Sequence, residues 1–203
     1  AGRCGESDRE TDRAGAKVET MEDGLRLVVR AAEYAARAHA RHRRKDVDQT
    51  PYINHLAHVA RLLADAGCDA ALIAAGYLHD TIEDVHVSYE ALHAEFGADI
   101  ADLVQAVTDD KTLRWQLRKQ AQIDHAGHAS PRVAALKLAD KISNLYSIRD
   151  TPPHGWDLAE IAKYVHWAHE VVSRLPEPNA VLMADYECIR AELLGRLGGS
   201  QWE

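Results

Sequence analysis

The stretch that decides the fold is Leu78-His79-Asp80-Thr81-Ile82-Glu83-Asp84, which begins with the last of nine consecutive residues, 70–78, that carry no charge. This position indicates the end of a buried helix. A helix turns by about 100° per residue, so His79 and Glu83 would share one face and Asp80 and Asp84 the neighbouring face. Burying four such groups without partners would cost several kcal/mol, and a divalent cation is the obvious compensating partner.

Outward from this stretch, apolar residues recur at helical spacing, and no segment shows the sustained alternation of a β-strand. The sequence therefore predicts an all-α helical bundle of roughly eight to ten helices. Signals such as Thr50-Pro51, Gly67, Ser88 and Gly97 bound these helices. The predicted helices span residues 25–39, 52–66, 69–84, 89–96, 98–107, 112–126, 133–148, 157–175 and 178–197.

The length of 203 residues is typical of one domain with a hydrophobic core. Residues 1–20 carry almost no large apolar side chain, so we expect a disordered tail there and the folded domain over 21–203. Three widely spaced cysteines match no zinc-finger spacing and fit a reducing, cytoplasmic compartment. The sequence shows no apolar run long enough for a membrane span and no apolar signal-peptide segment at its start.

A net charge of −8 argues against general binding to DNA, RNA or anionic membranes. An anionic small molecule would instead need a local group of basic residues. The basic segment 41–45 is such a group, although a solvated helix C-terminus explains the same charges. No feature of the sequence assigns an oligomeric state.

Four polar residues are predicted to point inward at helix-compatible positions, and they suit a divalent metal ion. We call His55, His79, Asp80 and Asp140 the His–Asp cluster. Two imidazoles and two carboxylates are suitable ligands for Mn²⁺, Fe²⁺, Zn²⁺ or Mg²⁺. Such an ion lowers the pKa of a bound water and polarises a phosphoryl group. We call Glu83 and Asp84 the carboxylate pair; one turn beyond the metal ligands, it would accept the water's proton.

Together these residues and their flanking motifs resemble the HD-superfamily phosphohydrolases, and more closely the hydrolase domain of RelA/SpoT-homologue proteins. The resemblance extends in unbroken order from about residue 25 to 175 and is closest to the small hydrolase-only branch that includes the metazoan SpoT homologue. The matching stretches are Arg43-Arg44-Lys45-Asp46, Thr50-Pro51-Tyr52-Ile53-Asn54-His55, Leu78 to Asp84, Phe96-Gly97, Val107 to Leu113, Lys137-Leu138-Ala139-Asp140-Lys141, Asn144-Leu145 and Gly155-Trp156.

The resemblance implies that the His–Asp cluster binds Mn²⁺ and that the carboxylate pair activates the attacking water. It also implies that Arg44 and Lys45 contact the nucleotide substrate, where a guanidinium stacks on a base and an ammonium contacts a phosphate. Asn144 would contact the sugar or its phosphate, and Tyr164 would line the nucleotide pocket. Lys111 fits either a substrate contact or an ordinary surface lysine.

One departure from the family pattern concerns the substrate pocket. Family members commonly have Asn-Leu-Arg-Asp after the last metal aspartate, whereas this chain has Asn144-Leu145-Tyr146-Ser147. Tyr146 is therefore expected at a substrate-binding position that has lost a bidentate arginine donor. The expected consequence is a change in the tolerated base or 5′-phosphate state.

The resemblance thus implies a hydrolase-only, metal-dependent (p)ppGpp 3′-pyrophosphohydrolase that releases pyrophosphate and leaves GDP or GTP. Two rivals keep the same machinery, with (p)ppApp or the 2′-phosphate of NADPH as substrate. A rival of another class is a non-catalytic module that binds alarmones. The complete carboxylate pair argues against that module, because a protein that only binds has no need to activate water.

Overall fold

The computed structural model describes residues 7–198, with side chains from residue 21 onward. Ten α-helices form a bundle in this described part, which contains no β-strand, so the predicted all-α class is confirmed. The helices are α1 (Ser7–Ala38), α2 (Ile53–Asp65), α3 (Ala70–Leu78), α4 (Thr81–Val85), α5 (Tyr89–Phe96), α6 (Ala98–Val107), α7 (Trp115–Ala126), α8 (Pro131–Asp150), α9 (Leu158–Val172) and α10 (Ala180–Arg196).

The uncharged helix α3 lies at the centre, where it packs against α1, α2, α6 and α8. Gly76 allows α2 and α3 to approach closely. A Cβ atom at this position would lie 2.8 Å from Leu63 Cδ1 and 3.2 Å from Ala60 Cα. This contact sets the position of α2, which carries His55, against α3, which ends directly before His79.

The prediction of one continuous helix over residues 69–84 is wrong, because α3 ends at Leu78 and α4 begins at Thr81. Two side chains occupy carbonyls that would otherwise accept helical N–H groups. The Thr81 hydroxyl donates to Leu78 O at 2.6 Å, and His79 Nδ1 lies 2.9 Å from Gly76 O. Asp80 consequently has φ −99° and ψ 3°, outside regular helical geometry.

The loop between α1 and α2, residues 39–52, is held by backbone hydrogen bonds, and we call it the basic loop. Arg44 N donates to Thr50 O at 2.8 Å, and His154 N donates to Lys45 O at 2.7 Å. These bonds fix the loop against itself and against the segment that follows α8. Arg44 and Lys45 are therefore presented from a defined backbone.

The structure extends α1 back to Ser7, whereas the sequence predicts a disordered tail over 1–20. Residues 1–6 and the side chains before residue 21 lie outside the described part. The division into a tail at 1–20 and a domain at 21–203 stays a prediction. Among the described helices, none has the length and apolar character needed to cross a membrane.

Candidate active site

The His–Asp cluster assembles from three parts of the bundle. His55 comes from α2, Asp140 from α8, and His79 and Asp80 from the break between α3 and α4. Ligand atoms of His55, His79 and Asp80 all lie within 4.8 Å of one another. Asp140 Oδ1 lies 3.3 Å from His55 Nε2 and 3.7 Å from His79 Nε2. The structure thus brings all four predicted ligands together.

The two buried imidazoles present nitrogen atoms that suit a metal ion. His55 Nδ1 lies 2.9 Å from Ser143 Oγ, and His79 Nδ1 lies 2.9 Å from Gly76 O. Each Nε2 atom is buried without a properly aligned hydrogen bond, although carboxylate oxygens lie 3.0–3.7 Å away. With Nδ1 as the donor, each ring in its neutral form would direct the Nε2 lone pair at the cluster centre. These donor atoms fit a divalent metal ion.

The electrostatics of the cluster favour bound positive charge. Burial alone would raise the pKa of Asp80 and Asp140, but His79 and Lys141 respectively provide the largest opposing effects and hold both pKa values below the ordinary value. Burial alone would lower the pKa of His79, yet the two carboxylates raise it well above its ordinary value. The same burial lowers the pKa of His55. Stabilisation of positive charge is the property that a cation site requires.

Neighbouring side chains also donate hydrogen bonds to the two carboxylates of the cluster. The Tyr52 hydroxyl donates to Asp80 Oδ2 at 2.7 Å. Lys141 Nζ donates to Asp140 Oδ2 at 2.7 Å, while Asn144 Nδ2 donates to Asp140 Oδ1 at the same distance. These bonds restrict the carboxylate rotamers and so fix the cluster geometry.

The carboxylate pair lies on α4 and lines the same cavity as His79, Asp80 and Asp140 of the cluster. Glu83 Oε2 accepts a hydrogen bond from the Asp109 amide at 3.1 Å. Burial raises the pKa of Glu83 to about 7, which is suitable for a base that must accept a proton near neutrality. Lys111 Nζ lies 2.5 Å from Asp84 Oδ1 and 3.8 Å from Glu83 Oε1. The structure therefore places Lys111 at the site rather than on a remote surface.

The cavity has a volume of about 400 Å³ and a strongly basic wall. Burial lowers the pKa of Lys119 to about 7, and burial also lowers the pKa of Lys137. A phosphate group placed among these side chains would reverse that effect by favouring their charged forms. The basic residues of the wall are Lys45, Lys111, Arg118, Lys119, Lys137 and Lys141.

A second cavity of about 290 Å³ connects the basic loop with the cluster cavity, since Lys45, Asn144 and Tyr164 line both. Arg44 lines only the second of the two, and its Nη2 donates to Asn144 Oδ1 at 2.9 Å. The Arg44 guanidinium also lies 5.5 Å from the centre of the Tyr52 ring. Four predicted substrate residues thus surround one continuous space.

Comparisons with known proteins agree with this geometry. The sequence profile of the HD domain matches residues 31–167, which is more than half of the chain. The chain belongs to the HD-domain family. The resemblance predicted from the motifs is confirmed.

Within this HD-domain family, the chain is similar to proteins with a named hydrolase activity. It is 42% identical over 164 residues to guanosine-3′,5′-bis(diphosphate) 3′-pyrophosphohydrolase MESH1 of Xenopus tropicalis, covering 80% of this chain and 92% of that protein. The protein of the same name from Homo sapiens is 43% identical over 157 residues, covering 76% and 88%.

A solved structure shares the HD-domain fold of this chain. It is described as "A metazoan ortholog of SpoT hydrolyzes ppGpp and plays a role in starvation responses". The two structures superpose with a TM-score of 0.78 and are 37% identical, over 85% of this chain and 96% of the other.

Tyr146 is the one predicted substrate residue that lines neither of the two cavities described above. Its hydroxyl donates to Asp185 Oδ1 on α10 at 2.6 Å, and the Arg149 guanidinium lies 4.7 Å from its ring centre. Tyr146 instead lines a third cavity, of about 310 Å³, which we call the back cavity. Its predicted role in substrate binding stays a prediction.

Sequence reasoning missed several residues of the HD-domain site. Tyr52 lies three residues before His55, and Lys141 directly follows Asp140, so proximity to a ligand was the available signal.

His42 stacks on Tyr52 with ring centres 3.9 Å apart, and its Nδ1 lies 4.0 Å from Asp84 Oδ2. Lys119 on α7 had no signal, because the predicted helix at 112–126 looked entirely solvated.

Proposed function

We propose that this HD-domain protein is a Mn²⁺-dependent (p)ppGpp 3′-pyrophosphohydrolase, which releases pyrophosphate and leaves GDP or GTP. The observation that supports it best is that the carboxylate pair lines one cavity with a basic wall together with His79, Asp80 and Asp140, and that His55 completes the cluster beside them. The similarity to relatives named for this reaction supports the guanosine substrate.

The His–Asp cluster would hold the ion through the Nε2 atoms of His55 and His79 and one carboxylate oxygen from each of Asp80 and Asp140. When bound, Mn²⁺ supplies Lewis acidity toward a phosphoryl oxygen and lowers the pKa of a coordinated water. The chain's contribution is a fixed ligand geometry, since Tyr52 and Lys141 each hold one of the cluster carboxylates.

The carboxylate pair would take the proton from the attacking water. With a pKa of about 7, Glu83 is ionised in a large fraction of molecules at neutral pH yet remains basic enough to accept that proton. Lys111 and Arg118 lie 3.8 Å and 3.7 Å from Glu83 Oε1 and orient its carboxylate. The water oxygen bonds to phosphorus as the bond to the ribose 3′-oxygen breaks, and that oxygen leaves as a hydroxyl group after gaining a proton.

The nucleotide would lie between the two connected cavities. Arg44 and Tyr164 both line the second cavity and would offer a guanidinium plane and an aromatic ring to a base. Lys45 lines both cavities and is placed to contact a phosphate. Asn144 links the nucleotide side to the cluster, because it bonds both Arg44 and Asp140.

The experiment that tests this proposal compares three substrates with and without the ion. Metal-free protein is incubated with ppGpp, ppApp or NADPH, with or without Mn²⁺, and the products are separated by ion exchange. Mn²⁺-dependent release of pyrophosphate from ppGpp is the expected result. If only NADPH released inorganic phosphate, or only ppApp released pyrophosphate, the guanosine substrate would be wrong and that compound would be the substrate.

A double variant separates catalysis from binding. Glu83→Gln with Asp84→Asn should abolish turnover while Mn²⁺ affinity, measured by calorimetry, is retained, because neither residue belongs to the cluster. Tight ppGpp binding by the wild-type protein without any turnover would instead favour the alarmone-binding module.

A further inference from the structure

The two histidines of the cluster are oriented by different kinds of partner. His79 Nδ1 contacts a backbone carbonyl, that of Gly76, at 2.9 Å. His55 Nδ1 contacts a side chain, the hydroxyl of Ser143, at 2.9 Å. A backbone partner is retained in every side-chain variant, whereas the partner of His55 depends on the residue at position 143. The orientation of His55 therefore needs a separate explanation.

Ser143 is fully buried on α8 and connects His55 to a third histidine. Its Oγ lies 2.9 Å from His55 Nδ1 and 3.1 Å from His58 Nδ1. A serine hydroxyl has one proton to donate and two lone pairs that accept. If His55 Nδ1–H donates to Ser143, the hydroxyl proton of Ser143 is free to satisfy the lone pair on His58 Nδ1. The hydrogen bonds then run in one direction, from His55 through Ser143 to His58.

The surroundings of His58 suit this role as an acceptor. Burial lowers the pKa of His58, which keeps the ring neutral and leaves one nitrogen with a lone pair. Its ring packs edge-on against Tyr146 at 5.5 Å, and the Tyr146 hydroxyl is itself held by Asp185. His58 is thereby fixed by packing from α8 and, through Tyr146, from α10.

We propose that Ser143 and His58 form a positioning relay that holds His55 with its Nδ1 protonated and its Nε2 lone pair directed at the divalent cation. This inference rests on the metal site of the proposed function. It assigns both residues to the site although neither contacts the ion or the nucleotide. Ser143 and His58 line the back cavity and neither of the two cavities assigned to the nucleotide.

Calorimetric titration of the metal-free protein with Mn²⁺ tests the relay through affinity. Ser143→Ala and His58→Leu should each weaken binding by about 10–100-fold, the usual effect of losing an outer partner of a metal-ligating histidine. His58→Asn should bind nearly as the wild type does, because the Asn Oδ1 atom can replace the Nδ1 acceptor. The back cavity of about 310 Å³ adjoins position 58 and gives a leucine room to settle.

The double variant Ser143→Ala with His58→Leu distinguishes a relay from two unrelated packing defects. In a serial relay Ser143→Ala already breaks the hydrogen bonds between His55 and His58, so His58→Leu should cause no further loss of affinity. The double variant should therefore bind Mn²⁺ as weakly as Ser143→Ala alone. Losses that add fully in the double variant would overturn the relay.

Nitrogen-15 NMR of the histidine rings gives a readout that does not depend on the ion. In the metal-free wild type, His55 should carry its proton on Nδ1, and Ser143→Ala should shift the ring toward the other tautomer. The signals of His79 are the internal control and should not change, since Gly76 O is retained. An unchanged His55 tautomer in Ser143→Ala would overturn the relay. A wild-type protein that binds no Mn²⁺ would overturn the proposed function, while the tautomer result would still decide the relay.

Discussion

Glu83 is a carboxylate that the fold shields from water, with 18% of its side chain exposed. Burial raises its pKa from 4.5 to about 7. The folded protein therefore binds this proton more tightly than the unfolded chain does, so ionising Glu83 destabilises the fold as pH rises. Replacing Glu83 with glutamine should stabilise the metal-free protein at alkaline pH while it removes the proposed general base.

The magnitude follows from the pKa shift. One pKa unit corresponds to about 1.4 kcal/mol, so a rise from 4.5 to about 7 corresponds to about 3 kcal/mol of unfolding free energy once Glu83 is fully ionised. The stabilisation of Glu83→Gln should be absent below pH 4.5 and should develop fully as pH passes about 7. Glutamine retains an oxygen that can accept the Asp109 amide, so the geometry of α4 is kept.

Urea denaturation followed by circular dichroism, on the acid and alkaline sides of this window, measures the effect on stability. Pyrophosphate release with saturating Mn²⁺ measures the effect on catalysis, where loss of a general base should cost about 10²–10⁴-fold. A cation in the adjacent cluster stabilises the Glu83 carboxylate, so the acid limb of the wild-type rate should fall at or below pH 7.

Glu33→Gln is the matched control, because Glu33 is 69% exposed and, among the side chains that the structure describes, its ion pair is with Arg37 one turn away. It should change neither stability nor turnover measurably. If Glu83→Gln unfolded at the same urea concentration as the wild type on the alkaline side, ionisation of the buried carboxylate would not destabilise the folded protein, contrary to this prediction. If turnover stayed within about tenfold, Glu83 would not be the base.

Three further substitutions test other contacts of the site. Gly76→Ala places a Cβ atom 3.2 Å from Ala60 Cα, so α2 and α3 must separate; we expect a loss of about 1–3 kcal/mol in urea denaturation. Lys111→Met removes the cation beside the carboxylate pair and should lower kcat/KM for ppGpp by about tenfold or more, as steady-state kinetics would measure. Tyr146→Phe leaves Asp185 without its donor and should cost about 1 kcal/mol in urea denaturation, with an unchanged ratio of ppGpp to ppApp turnover.

The all-α class and most helices were predictable, because their apolar spacing and caps are local signals. Ser88 accepts from Ala91 N and Ser130 accepts from Val133 N, as expected of N-cap residues. The break after Leu78 was not predictable from spacing. It depends on the Thr81 hydroxyl and the His79 ring competing for helix carbonyls, a choice that the tertiary structure decides.

The His–Asp cluster was predictable because its residues occur in distinct motifs on successive helices. Contacts between side chains of different helices have no comparable motif in a single sequence. Tyr146 illustrates this limit, because the family resemblance implied a substrate contact at this position and nothing in the sequence indicated the hydrogen bond from Tyr146 to Asp185. A side chain on α8 can face either the cluster or α10, and only packing against Asp185 decides which. Ser143, three residues after Asp140, was overlooked for the same reason.

The arrangement of charges explains how a chain with a net charge of −8 can offer a cavity to an anion. Two basic side chains are already paired with acids of the site, Lys141 with Asp140 at 2.7 Å and Lys111 with Asp84 at 2.5 Å. These ion pairs compensate two of the carboxylates to which the proposed function assigns metal binding and water activation. Lys119 has a different partner, since its Nζ lies 3.1 Å from the centre of the Trp167 ring in a partly buried position.

Burial lowers the pKa of Lys119 to about 7, so its charge is costly until an anion arrives. A phosphate at this wall would stabilise the ammonium form and gain a charge-assisted hydrogen bond. The acidic and basic halves of the cavity therefore have separate roles. In the proposed mechanism the carboxylates would hold the cation and accept a proton. Lys119, which has no ion pair with a carboxylate among the described residues, would respond to the charge of the substrate.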